Sequence, residues 1–236
     1  MNRDVLMQIN EISKTYIMGE VKVPALNQTS LNIYQGEILV ILGPSGSGKS
    51  TLLNIIGGMD RSDTGEIIFR GHDLCKADDN RLTMFRRNEV GFVFQFYNLI
   101  SDLTALENVE LAAELVKEPL DAAEILAQVG LGERKNHFPV QLSGGEQQRI
   151  SIARGIVKKP ALLLCDEPTG ALDFETGRTI LQLLKEVNQK LNSSVVIVTH
   201  NTAIGDMADR VIRMRSGAIV DIAINEMPLM PERIEW

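Results

Sequence analysis

Ile38-Leu-Val-Ile-Leu42 runs directly into Gly43-Pro-Ser-Gly-Ser-Gly48-Lys49-Ser50. An apolar, partly β-branched run that breaks at a glycine-rich loop predicts a strand buried on both faces. Ser50–Ile56 then reads as a short helix stopped by Gly57-Gly58. Strand, loop and helix in this order are the setting that the P-loop pattern requires. The glycines let backbone N–H groups close around phosphate oxygens, and the helix N-terminus adds positive potential. Gly43, Pro44, Ser45, Gly46, Ser47, Gly48, Lys49, Ser50 and Thr51 are therefore candidate nucleotide-binding residues. Lys49 is expected to reach the β- and γ-phosphates, and the Ser50 hydroxyl to ligand Mg²⁺.

A second half of the site lies in Ala161-Leu-Leu-Leu-Cys-Asp166-Glu167-Pro168. An apolar strand would deliver Asp166 at its C-terminal end, where parallel sheets bind ligands. Asp166 is the candidate support for Mg²⁺, and Glu167 the candidate general base for an attacking water. A strand ending in an acidic turn is common in isolation; the pairing with a P-loop is what gives it meaning. His200 closes the strand Val195–Thr199. On the residues alone it is either a structural histidine or a γ-phosphate contact.

Outward from these motifs, strands alternate with helices, which implies a mostly parallel sheet covered on both faces. Val5–Ile12, Leu31–Gln35, Gly65–Phe69 and Val90–Phe94 read as further strands, and Leu82–Arg87 as a helical stretch. From about 104 to 157 the pattern is helical only, opening on the capping box Thr104-Ala-Leu-Glu107 and stopping once at Gly130. Ile180, Leu183, Leu184, Val187 and Leu191 form one helical stripe, and a last hairpin turns at Ser216-Gly217. The tail after Asn225, with Pro228, Pro231 and Trp236, shows no clear pattern.

Composition bounds the rest. The 236 residues are 44% hydrophobic and 23% charged, an ordinary globular balance that excludes disorder and fibrous repeats. No apolar run approaches the roughly 20 residues of a membrane span, and the polar N-terminus lacks a secretory pattern, so a cytosolic location is expected. Cys75 and Cys165 are too few for a disulfide scaffold. A net charge of −7 and a pI near 5.1 argue against nucleic acid as a partner.

Leu142-Ser-Gly-Gly-Glu-Gln-Gln-Arg149 opens another helix on Ser143, Gly144, Gly145 and Glu146, a second potential anion site. It resembles the signature sequence of ABC ATPases. That resemblance, running from about Tyr16 to Gly217, implies a P-loop NTPase core with an N-terminal antiparallel β subdomain and an inserted helical subdomain. The corresponding boundaries are 1–95 and 158–225 for the core, about 96–157 for the helical part and 226–236 for a tail. It implies that two copies pair head-to-tail, each signature capping the ATP on the other's P-loop. It also implies that Tyr16 stacks on adenine, that Gln95 senses Mg²⁺ and the attacking water, and that His200 contacts the γ-phosphate. Gly170-Ala-Leu-Asp173 resembles the loop that crosses the dimer interface, with Gly170 where most of the family has serine.

Val23-Pro-Ala-Leu26, Phe94–Ile100, Leu103–Val109 and Asp166–Asp173 further resemble the macrolide-export and lipoprotein-release branch. The P-loop makes ATP and Mg²⁺ the expected cofactors, and the branch implies a separate permease at whose cytoplasmic face the chain sits. Export or force transmission would be the work done. The competing expectation, a soluble ABC ATPase acting on DNA or ribosomes, lacks the coiled coil, zinc modules or tandem cassettes it would require. The apolar segment Phe96, Tyr97, Leu99 and Ile100 is either buried core or the lining of a groove for a permease helix.

Overall fold

The computed structural model describes residues 4–235, so Trp236 lies outside the described residues. Among the described residues, ten strands form two sheets, with six α-helices around them. Strands β1 (Val5–Met18), β2 (Val21–Tyr34), β4 (Thr64–Phe69) and β5 (His72–Asp73) make an antiparallel sheet in the order β2-β1-β4-β5. The second sheet contains β3 (Ile38–Leu42), β6 (Val90–Val93), β7 (Leu162–Asp166), β8 (Ser194–Thr199), β9 (Arg210–Arg215) and β10 (Ala218–Ile224). Its order is β10-β9-β3-β8-β7-β6, parallel throughout except for the edge hairpin β9–β10.

The buried central strands divide their side chains between two cores, because successive residues point to opposite faces. Ile38, Val40, Leu163, Cys165, Val195 and Ile197 enter the core on the side of the helical region. Leu39, Ile41, Leu162, Leu164, Val196 and Val198 enter the core shared with the antiparallel sheet. This is why these runs are continuously apolar and do not alternate.

Helices α1 (Lys49–Ile56) and α2 (Asp79–Asn88) belong to the first half of the chain, followed by α3 (Ala105–Ala113), α4 (Ala122–Gln128), α5 (Gly144–Ile156) and α6 (Phe174–Leu191). On α6, Ile180, Leu184 and Val187 are buried as expected, while Leu183 and Leu191 are only half-buried. The patternless tail folds back: Ile234 joins the helical-side core, and Gln182 donates to Glu232 at 2.9 Å. Among the described residues, no helix is long and apolar enough to cross a membrane.

Strands β1 and β2 extend well beyond the expected Val5–Ile12 and Leu31–Gln35. Register shifts on both sides of Ile12, with Glu11 at φ 48°, break the alternation that would have marked them.

Candidate functional site

The glycine-rich loop joins β3 to α1, and at Gly43 and Gly48 its backbone leaves no room for a side chain. A Cβ on Gly48, which sits at φ 97°, would press into the Ala25 carbonyl. One on Gly43 would lie 2.5 Å from the Met214 carbonyl of β9. Helix α1 starts at Gly48 without any side-chain cap. The five other α-helices all have one, from Asp78, Thr104, Asp121, Ser143 and Asp173. The first-turn N–H groups of α1 are thus the ones left for an external anion.

Around this loop lies a cavity of about 530 Å³. Lys49, Ser50, Asp166, Glu167, Gln95 and His200 all line it. Lys49 is buried, with its ammonium donating to the carbonyls of Gly43 (2.8 Å) and Pro44 (3.0 Å). The Ser50 hydroxyl donates to Asp166 Oδ1 at 3.2 Å. Burial raises the Asp166 pKa, the Ser50 bond lowers it and the neighbouring Glu167 charge raises it.

Glu167 holds an uncommon backbone conformation for a non-glycine residue, φ 46°. Its carboxylate accepts from Thr199 Oγ1 and from His200 Nδ1–H, each at 2.9 Å. Only 3.2 Å would separate a Cβ on Gly170 from the Gln95 amide nitrogen. A serine there would crowd Gln95, which is the local consequence of glycine at this position.

The opposite wall comes from the antiparallel sheet: Tyr16 on β1, and Val23, Pro24 and Ala25 on β2. The Tyr16 hydroxyl donates to Asp60 Oδ2 at 2.7 Å, and Lys14 Nζ reaches the same carboxylate at 3.0 Å while lying 5.2 Å from the ring centre. Burial raises the Tyr16 pKa, with the Asp60 contact adding to it. No local pattern marks Asp60 as a site residue, because only the tertiary fold brings Tyr16 to it. Thr199 carries no local signal beside His200, and the sequence marks Val23–Ala25 only as part of a branch motif.

Ser143, Gly144, Gly145, Glu146 and Asp173 do not line the cavity. The N-terminus of α5 closes on itself: Glu146 N–H donates to Ser143 Oγ, and Ser143 N–H donates to the Glu146 carboxylate at 2.8 Å. That backbone bond holds the Glu146 pKa below its ordinary range. The two glycines have a packing reason as well. A Cβ on Gly144 would come within 2.7 Å of the Tyr97 hydroxyl, and one on Gly145 would collide with Thr176. Asp173 caps α6 through Thr176 N–H at 3.1 Å.

The segment after Gln95 splits. Phe96 is 76% exposed and Ile100 43%, whereas Leu99 packs against the helical-side core. Beside it a cavity of about 310 Å³ is lined by Phe92, Phe94, Asn98, Arg154 and Lys158 among others. Arg154 on α5 donates to the Tyr97 and Asn98 carbonyls, tying the signature helix to the segment after Gln95. Burial pulls the Lys158 pKa down to about 8.

Residues 26–170 match the sequence profile of the ABC transporter family. The lipoprotein-releasing system ATP-binding protein LolD of a Shewanella species is 39% identical over 94% of this chain and 98% of that protein. The macrolide export ATP-binding/permease protein MacB of Vibrio parahaemolyticus is 38% identical over 98% of this chain but only 36% of that longer one. The solved dimeric structure of a bacterial ABC transporter cassette superposes with a TM-score of 0.87 at 42% identity, covering 94% of this chain and 99% of that one. The same scores hold for that cassette's post-hydrolysis state with ADP and Pi.

Proposed function

Because this chain belongs to the ABC transporter ATP-binding family, we propose that it drives a separate membrane permease by closing, as a head-to-tail dimer, on two ATP molecules. It is an ATPase, and its relatives lie in the lipoprotein-release and macrolide-export branch. The observation that carries the proposal is one cavity that gathers the uncapped α1 terminus, Lys49, Ser50, Asp166, Glu167, Gln95 and His200.

In this reading Lys49 exchanges two neutral carbonyl acceptors for phosphate oxygens, a stronger charge-assisted contact. Ser50, Gln95 and Asp166 are hard oxygen ligands of the kind Mg²⁺ takes, and a cation would offset the burial that raises the Asp166 pKa. Bound there, the ion would neutralise charge on the β- and γ-phosphates. Glu167 takes the proton of the attacking water, and His200, which rests on Glu167 through Nδ1 before ATP binds, leaves it to turn toward the γ-phosphate.

Tyr16 stacks on adenine, held in place by Asp60. Base–aromatic stacking contributes about 1–3 kcal/mol. Tyr16→Ala should therefore raise the KM for ATP about tenfold with little change in kcat. Asp60→Asn should give a smaller shift in the same direction. Steady-state kinetics with ATP checks both, and an unchanged KM in Tyr16→Ala would remove the stack.

The exposed Phe96 and Ile100, with the cavity floored by Phe92 and Phe94, suit a short amphipathic helix of the permease. Arg154 would then pass dimer closure on α5 to the docked helix. Phe96→Asp should abolish stimulation of ATP turnover by the reconstituted permease and leave basal turnover and Tm unchanged. Leu99 cannot serve as that probe, since a charge there would enter the core. Stimulation at the wild-type level in Phe96→Asp would move the docking surface elsewhere. Export or force transmission is the direction of work that the branch supports.

A further inference from the structure

Thr199 ends β8, 1% exposed, in register with Leu42, the residue before the phosphate loop. A threonine hydroxyl carries a single proton. Here it also accepts the backbone N–H of Asn201 at 3.1 Å, which fixes the side of its lone pairs and leaves the proton for Glu167 Oε2 at 2.9 Å. The Glu167 backbone N–H donates to the Val198 carbonyl of the same strand at 2.8 Å. Strand β8 therefore grips Glu167 at both its backbone and its carboxylate.

The two carboxylate oxygens are held by very different partners. Thr199 is locked into the sheet. His200, on Oε1, is an exposed side chain at 65% accessibility that can swing away.

Resting on the assignment of Glu167 as general base, we propose that Thr199 is its positioning residue. Thr199 pins Oε2 so that Oε1 is the oxygen that takes the proton of water, and the His200 bond is the one that opens. The rigid hydroxyl keeps the carboxylate from rotating as water and ATP enter, an ordering otherwise supplied anew in each turnover.

Thr199→Val keeps the shape and removes the hydroxyl. The expected result is a kcat lower by about ten- to hundredfold, the loss of one hydrogen bond to a charged group, with KM and ATP affinity unchanged. Thr199→Ser should restore most of the rate, which a purely packing role would not allow. Single-turnover hydrolysis of labelled ATP in Glu167→Gln should be insensitive to adding Thr199→Val, because the side chain being positioned can no longer take a proton. The proposal is overturned by wild-type kcat in Thr199→Val, by a fall that Thr199→Ser does not restore, or by an equal further loss in the Glu167→Gln background. Wild-type turnover in Glu167→Gln alone would instead overturn the general-base assignment itself. An inactive Glu167→Gln beside a fully active Thr199→Val would sink only the positioning role.

Discussion

Glu167→Gln is expected to cut ATP hydrolysis by about 10²–10⁴-fold while leaving ATP binding near the wild-type level. The amide carbonyl can still accept from Thr199, so the side chain keeps its place, but it cannot take a proton from water. Nothing in the substitution touches the P-loop contacts of Lys49 or the uncapped start of α1. ATP therefore enters and stays. A dimer that normally opens after hydrolysis should then accumulate, with a doubled mass by light scattering in ATP and a monomer mass in ADP. Should the variant bind ATP yet remain monomeric where the wild type dimerises, closure on ATP would have to be abandoned. Should it hydrolyse at the wild-type rate, the base must be sought elsewhere in the cavity.

The parts of this site that sequence made legible are the ones carried by contiguous residues. Ile38–Ser50 announces itself because strand, glycine loop and lysine each leave a local pattern, and Leu162–Asp166 because a strand buried on both faces is continuously apolar. Ser143–Glu146 read correctly as a helix start. The packing of Gly144 on Tyr97 and of Gly145 on Thr176 could not be read, since it depends on how α5 meets α6 and the segment after Gln95. Asp60 and Thr199 escaped for a related reason. Each acts on a residue distant in the chain: the loop between α1 and β4 carries Asp60 to Tyr16 on β1, and the pairing of β7 with β8 within one sheet carries Thr199 to Glu167. Bulges hid the full length of β1. In the Phe96–Ile100 run, apolar residues of the same type divide between surface and core, a distinction that composition does not carry.

Lys49→Ala and Ser143→Arg should each lose nearly all turnover, yet equal amounts of the two mixed together should recover about a quarter of the wild-type rate. The first variant removes the charge that grips phosphate. The second places bulk at the start of α5, where Ser143 is exposed and no part of the signature reaches its own chain's cavity. If each site combines one chain's P-loop with the other's signature, a mixed dimer puts both defects into one site and leaves the second intact. Random pairing makes half of the dimers mixed, each with one working site of two. A site completed within a single chain predicts the opposite outcome, because every chain in the mixture then carries a defect. No recovery at any mixing ratio, with both variants folded by Tm and Ser143→Arg still binding ATP, would therefore rule out the head-to-tail arrangement. Recovery lost on adding Glu167→Gln to the Ser143→Arg chain, but kept on adding it to the Lys49→Ala chain, would identify which chain supplies the base. The intact site holds the P-loop of the Ser143→Arg chain, and Glu167 lines the same cavity as that loop, so this is the pattern expected.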